Sequence, residues 1–204
     1  MRNHQEYYDN WAKDYDKDVA TREYVDPEYL VNYFLEMSKS GKISLPCDIP
    51  DLKVIDVGCG TGFVGVELKK AGFRYIDGVD NSQGMVEQAH KTGAYQTLIG
   101  RCDLHKEAPF IMYNQYDLAI SCGVFTLDLV KPSALDWLVK VTKPEGIILL
   151  TSRVTYTKEH QFDRYCKDLE RQGKLSLVEV RSNLDYLGIS KGDYWLFSKP
   201  KSKK

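Results

Sequence analysis

The 204-residue sequence has no apolar run near the roughly 20 residues that cross a bilayer, so no membrane span is expected. Cysteine is sparse and scattered: Cys47, Cys59, Cys102, Cys122 and Cys166 form no C-x-x-C pair and no Cys/His ligand spacing. That pattern excludes a disulfide framework and indicates no metal site. Reduced thiols in a cytoplasmic protein fit better. Charge of one sign is also missing, since 28 Lys+Arg face 29 Asp+Glu and the formal net charge is -1. An overall attraction to nucleic acid or to a membrane surface is therefore absent, although a local basic patch stays compatible with the composition. The one charge run is Lys199, Lys201, Lys203 and Lys204 after the last apolar segment, read as a frayed, solvated end. Residues 1–19 are polar and aromatic and lack the apolar core of a signal peptide, so no leader is expected.

What is present suits a single domain over residues 1–204. Apolar residues make up 43%, enough to bury a core. Leu30, Phe34 and Met37 repeat at helical spacing and predict a helix over 27–38; glycine and prolines between 41 and 50 then mark a loop. Apolar strands and amphipathic helices alternate from there: strand 53–57, helix 62–71, strand 74–79, a helix capped by Ser82, then strands 95–99 and 116–121. Helix 132–141, strand 146–151 and a helix through Phe162, Cys166 and Leu169, stopped by Gly173, complete the alternation. That order predicts a parallel sheet covered on both faces. Two last strands, 175–180 and 194–198, have only a loop over 181–192 between them, which permits an antiparallel pair.

The stretch from Val54 to Gly62 reads V-I-D-V-G-C-G-T-G. A buried strand runs straight into Gly58, Gly60 and Gly62, and a helix follows. Glycine permits the sharp turn and leaves no Cβ to block a ligand beyond the strand's carboxyl end. Asp80 follows the next strand, 22 residues after Gly58, where a carboxylate can accept hydrogen bonds from ribose hydroxyls. This much suits a nicotinamide dinucleotide as well as S-adenosylmethionine. Two details favour the second: the third glycine comes one residue earlier than in GxGxxG, and Asp56 precedes the loop, where an acid can help hold an ammonium.

With these residues in place, the chain resembles the class I, Rossmann-like methyltransferases that use S-adenosylmethionine. D-V-G-C-G-T-G at 56–62 is similar to their first motif, and G-V-D-N-S at 78–82 to the ribose-binding second, with Met85 one turn on. Cys102-Asp103-Leu104 resembles the segment whose acid holds the adenine amino group while its neighbours flank the ring. Y-D-L-A-I-S-C-G-V-F at 116–125, containing Ser121, Cys122 and Gly123, resembles the fourth-strand motif, and K-P-E-G-I-I-L-L-T at 143–151 the fifth. The likeness spans about 50–200. It departs at Glu145, where the family usually has glycine. The lead at 8–19 (Y-D-N-W-A-K-D-Y-D-K-D-V), with V-T-K-P at 141–144 and T-S-R at 151–153, resembles a narrower branch of methyltransferase-like proteins. That resemblance implies a helical lid over 1–45 covering a core over 50–200, with Trp11 and Tyr15 as lid contacts. The fold it implies is a three-layer α/β sandwich with a seven-stranded, mostly parallel sheet and a final antiparallel strand.

The site residues implied are Trp11, Tyr15, Asp56, Gly58, Cys59, Gly60, Thr61 and Gly62; Asp80, Asn81, Ser82 and Met85; and Cys102, Asp103, Leu104, Ser121, Cys122 and Gly123. No catalytic residue stands out, because transfer from a sulfonium can rest on alignment alone. His4 is a weak base candidate without a geometric partner. Cys122 is read as a small buried residue rather than a nucleophile, since Ser121 precedes it where cytosine-5 enzymes place proline. An Asn-Pro-Pro-Tyr motif and a glutamate pair are both absent, which tilts the acceptor toward a small molecule without excluding protein or nucleic acid. Arg153 could meet an acidic acceptor, and Tyr156, Asp185 and Tyr186 could wall that side; each reads equally as surface or core. The rivals are a cofactor binder or scaffold without turnover and an NAD-dependent oxidoreductase. A monomer is the default expectation.

Overall fold

The computed structural model describes residues 4–20, 24–109, 112–126, 129–186 and 190–201. Two short helices, α1 (His4–Trp11) and α2 (Tyr15–Ala20), precede α3 (Asp26–Lys39). The alternation then runs β1 (Lys53–Val57), α4 (Phe63–Lys70), β2 (Tyr75–Val79), α5 (Gln83–Lys91), β3 (Thr97–Ile99), β4 (Tyr116–Phe125), α6 (Ala134–Val141) and β5 (Thr142–Arg153). It ends with α7 (Val154–Glu159), α8 (Phe162–Arg171), β6 (Ser176–Tyr186) and β7 (Ser190–Ser198).

The strands form one seven-stranded sheet in the order β3-β2-β1-β4-β5-β7-β6. Only β7 runs against the rest, paired antiparallel with β5 and β6. Strand direction alternation builds both faces. On β5, Ile147 and Leu149 join the core beneath α3 and α4, while Ile148 and Leu150 join the core beneath α6, α7 and α8. The result is a three-layer α/β sandwich. α3 belongs to one of its layers: Leu30, Phe34 and Met37 are buried against the sheet with Leu52, Val54 and Ile76. Strand order reverses between β1 and β4, and ligand crevices in such sheets open beyond the carboxyl ends at that point.

Several boundaries differ from the sequence expectation, each for a local reason. The strand expected from residue 95 starts at Thr97, because Tyr95 turns inward. Its hydroxyl donates to Asp56 Oδ2 (2.7 Å) and accepts the Gly65 N–H (3.1 Å). Helix α6 begins at Ala134 rather than Pro132, after i→i+3 bonds from Ala134 to Lys131 and from Leu135 to Pro132. The supposed 181–192 loop is largely strand, since β6 and β7 pair from Ser176↔Ser198 to Tyr186↔Ser190. Glu145 adopts the left-handed φ of +65° that a glycine would suit, held by N–H donation to the Lys199 carbonyl (2.8 Å). Lys199 is no frayed tail: its Nζ donates to Asn114 Oδ1 and to the Val139 and Thr142 carbonyls at 2.7–2.8 Å. Lys201 pairs with Glu145, and Lys203 and Lys204 lie outside the described residues.

Candidate functional site

The carboxyl ends of β1, β2 and β3 are joined by backbone. Gly58 and Cys59 both donate N–H to the Val79 carbonyl, at 2.8 and 3.0 Å. Gly58 has φ +76°, and a Cβ there would meet Val124 Cγ2 at 2.2 Å, so only glycine fits. Gly60 has φ +52° and faces open space. Asp80 completes this corner: Oδ2 accepts the Gly60 N–H (2.9 Å) and Oδ1 the Ser82 N–H (2.8 Å). Burial pushes its carboxyl above the ordinary range, against these amide bonds. Farther along, Asp103 Oδ1 accepts the His105 backbone N–H (2.9 Å) and lies 3.1 Å from His105 Nδ1. Burial opposes ionisation at Asp103, yet the His105 bonds outweigh it and lower its pKa.

The facing half is assembled from side chains. Cys122 Sγ and the Tyr24 hydroxyl are 3.4 Å apart, and Gly123 donates its N–H to Thr151 Oγ1 (2.9 Å). The Tyr24 and Tyr186 hydroxyls stand 3.3 and 3.6 Å from where a Gly123 Cβ would lie. α1 closes over the corner through Asp9, whose Oδ1 accepts from Ser82 Oγ (2.5 Å) and the Gly84 N–H (2.9 Å). The Ser82 bond, above all, lowers the Asp9 pKa. Burial raises the phenols instead, Tyr8 to about 12 and Tyr15 farther, so both stay neutral.

Between the halves lies a cleft with about 840 Å³ of empty volume, its open mouth included. Of the residues proposed from sequence, Tyr15, Gly58, Gly60, Asp80, Asn81 and Ser82 form its wall, as do Met85, Cys102, Asp103, Leu104, Cys122 and Gly123. The others stand behind it. Trp11 donates its indole N–H to Asp18 Oδ2 (2.7 Å) and packs edge-on against Tyr15, with ring centroids 4.7 Å apart. Asp56 is fully buried against Tyr95 with Oδ1 unpartnered, and desolvation pushes its pKa up to about 7. Cys59 turns toward Val86 and Ala89, and Gly62 packs beside Ala89, Thr92 and Tyr95. Thr61 is buried with its hydroxyl unpartnered, and Ser121 Oγ donates to the Val57 carbonyl (2.8 Å).

Sequence reasoning missed Gln5, Tyr8, His105, Val124, Leu129 and Val130, all in the wall. It named His4 only as a base candidate, and His4 is there too. The i, i+4 spacing of His4 and Tyr8 was the available signal. Cys122 is buried and its thiol pushed well up by desolvation, the opposite of an activated nucleophile. Tyr156 belongs to the core, donating to the Val130 carbonyl (3.1 Å), and Asp185 is exposed and paired with Lys191. Tyr186 is buried behind Gly123.

A family profile described as a methyltransferase domain matches residues 49–195. Methyltransferase-like protein 27 of Homo sapiens is 38% identical over 147 residues, which cover 72% of this chain and 56% of that protein. The chain thus spans little more than half of that relative's length. A ubiquinone biosynthesis O-methyltransferase of Rickettsia bellii is 30% identical over 193 residues, 93% of this chain and 70% of that one. Among solved structures, a TehB-like SAM-dependent methyltransferase from Corynebacterium glutamicum superposes with TM-score 0.66 at 19% identity, covering 95% and 98% of the two chains.

Proposed function

Since this chain belongs to the class I, Rossmann-like methyltransferases, we propose that it binds S-adenosylmethionine in the cleft and transfers the methyl group to a small-molecule acceptor. The observation that carries the reading is the corner of Gly58, Gly60 and Asp80 at the strand-order reversal. The residues present fit that cofactor. An ionised carboxylate has about four lone-pair sites, so Asp80 keeps acceptor capacity after two amide bonds. The open space at Gly60 admits a ligand close to the main chain.

In this reading Asp80 accepts the ribose hydroxyls, and Asp103 takes the adenine amino group. Met85, Cys102 and Leu104 flank the ring, and Tyr8 and Tyr15 cover the cleft, with Trp11 bracing Tyr15 from behind. Asp56, one layer back, supports the methionine end. The cofactor, when bound, supplies an electrophilic methyl on a sulfonium with a neutral leaving group. The chain's own contribution is then alignment of an acceptor about 3 Å from that carbon and exclusion of water. A general base is required only for an acceptor that arrives protonated and weakly acidic.

All five cysteines are free, which supports a reducing, cytoplasmic setting. Among the described residues no helix is long and apolar enough to cross a membrane. Isothermal titration with S-adenosylmethionine and S-adenosylhomocysteine, with NAD as control, tests the reading. Saturable binding of the first two alone is expected; a folded protein that binds neither overturns it.

A further inference from the structure

Near the cleft lies a cation without a hydrogen-bond or ion-pair partner among the described residues. Arg153 ends β5, next to Ser152, whose register partner on β7 is Asp193. Its Nε is buried and has no hydrogen-bond partner. Among the described residues its guanidinium forms no hydrogen bond or ion pair, and its one ring neighbour is Tyr186, 6.0 Å from Cζ to centroid. The nearby acid does not serve it: Asp193 Oδ2 accepts from Thr157 Oγ1 (3.0 Å) and Oδ1 from the Asn183 N–H (3.1 Å).

Arg181 shows what a structural arginine looks like in the same sheet. It donates to both Glu36 oxygens, to Glu179 and to the Tyr29 hydroxyl, and it lies 4.0 Å over the Tyr33 ring. Arg153 has none of this. A partly buried guanidinium with an unmade bond is costly unless something supplies the acceptor.

Its position indicates where that acceptor would sit. The Arg153 charge acts on the phenols of Tyr8 and Tyr186, easing ionisation that burial otherwise opposes. Tyr8 is in the cleft wall, and the Tyr186 hydroxyl is close behind Gly123, which is also in the wall. Arg153 thus lies at the carboxyl end of β5 beside the Tyr186 ring, one side chain behind the part of the wall that Gly123 forms.

We propose that Arg153 recognises the methyl acceptor, and that this acceptor is a small, flat carboxylic acid. The guanidinium fork matches a carboxylate in two parallel hydrogen bonds, and the rings of Tyr8 and Tyr15 in the wall suit a planar, partly apolar body. This assignment rests on the cofactor reading above.

The one rival source of the same chemistry is the cofactor's own carboxylate, and the test separates the two. Protein saturated with S-adenosylhomocysteine is titrated with benzoate and 4-hydroxybenzoate, with benzamide as the neutral isostere. The carboxylates should bind roughly tenfold or more tightly than benzamide, the loss expected for one charge-assisted pair. Arg153→Gln should erase that preference and Arg153→Lys should keep part of it. Both variants should hold S-adenosylhomocysteine within about twofold of the parent, which also certifies their fold. Equal binding of benzoate and benzamide to the parent, or no binding of either, overturns the proposal. So does a tenfold loss of S-adenosylhomocysteine affinity in Arg153→Gln, which would give the guanidinium to the cofactor. A parent protein that binds no S-adenosylhomocysteine removes the cofactor reading first, and this proposal with it.

Discussion

The two halves of the cleft are made of different material. At the ends of β1, β2 and β3, main-chain amides and short carboxylates hold one another: Gly58 and Cys59 to Val79, Asp80 to Gly60 and Ser82. Across the cleft, the lead sets Tyr8 and Tyr15 into the wall, while Tyr24 and Tyr186 stand behind Cys122 and Gly123, with Arg153 beside the Tyr186 ring. A backbone-built half tolerates few residue types, since each glycine or acid answers to a bond or a φ angle. A half built from side chains can be rebuilt from other side chains, and a change of acceptor needs nothing else.

Four outcomes would sharpen or break that contrast. The largest concerns Asp56, whose pKa burial pushes up to about 7 from the 3.8 of an exposed aspartate. Below both values it contributes nothing. As pH rises between them the unfolded chain loses its proton first, so stability falls, by on the order of 4 kcal/mol in full above pH 7. Asp56→Asn keeps an acceptor for Tyr95 and should flatten this slope. Thermal melts of both proteins from pH 5 to 8 read the difference, and parallel curves would show that Asp56 titrates as if exposed.

Gly58→Ala comes next, at about 3 kcal/mol of stability, from a left-handed φ plus a contact with Val124 too short to keep. Denaturant unfolding measures it, and a loss under about 1 kcal/mol would mean that the backbone half is more adaptable than described. Asp80→Asn should then weaken S-adenosylhomocysteine by roughly thirtyfold, through weaker acceptance at one of two charged bonds. A change under about threefold in calorimetry would detach Asp80 from the ribose.

The smallest effects belong to the aromatic half. Tyr8→Ala should cost several-fold in cofactor affinity and Trp11→Ala less, since Trp11 acts only through Tyr15. The reverse order would return the indole to the cleft.

The same contrast explains what could be read from the amino acids. The Gly58-Gly60 loop, Asp80 and the Ser82 cap, which accepts the Met85 N–H, are short-range events, each legible within a few residues or one strand–helix unit. Asp103 and Cys102, one strand on, are legible only through the family resemblance. Leu129 and Val130 meet Tyr8 and Tyr15 in the wall from more than a hundred positions away, and no local pattern announces that meeting. Trp11 rests on the resemblance alone, and it shares a helical stripe with Tyr8, the residue that reaches the wall. The turn at 12–14 ends α1 and lets Tyr15 occupy the cleft in place of Trp11. Tyr95 shortened β3 for a similar reason: its ring fills the space over Gly65 and Gly78, a tertiary demand that overrode a plausible strand.

Asp9 has a consequence for timing. One carboxylate joins the lead to the first turn of α5, two residues past Asp80. Lifting α1 from the cleft therefore breaks both bonds together, and the frequency of that event belongs to the latch rather than to whatever lies beneath it. Acid would loosen it only as pH falls through the depressed Asp9 pKa, so near neutrality the door opens at a rate set by Ser82 and Gly84.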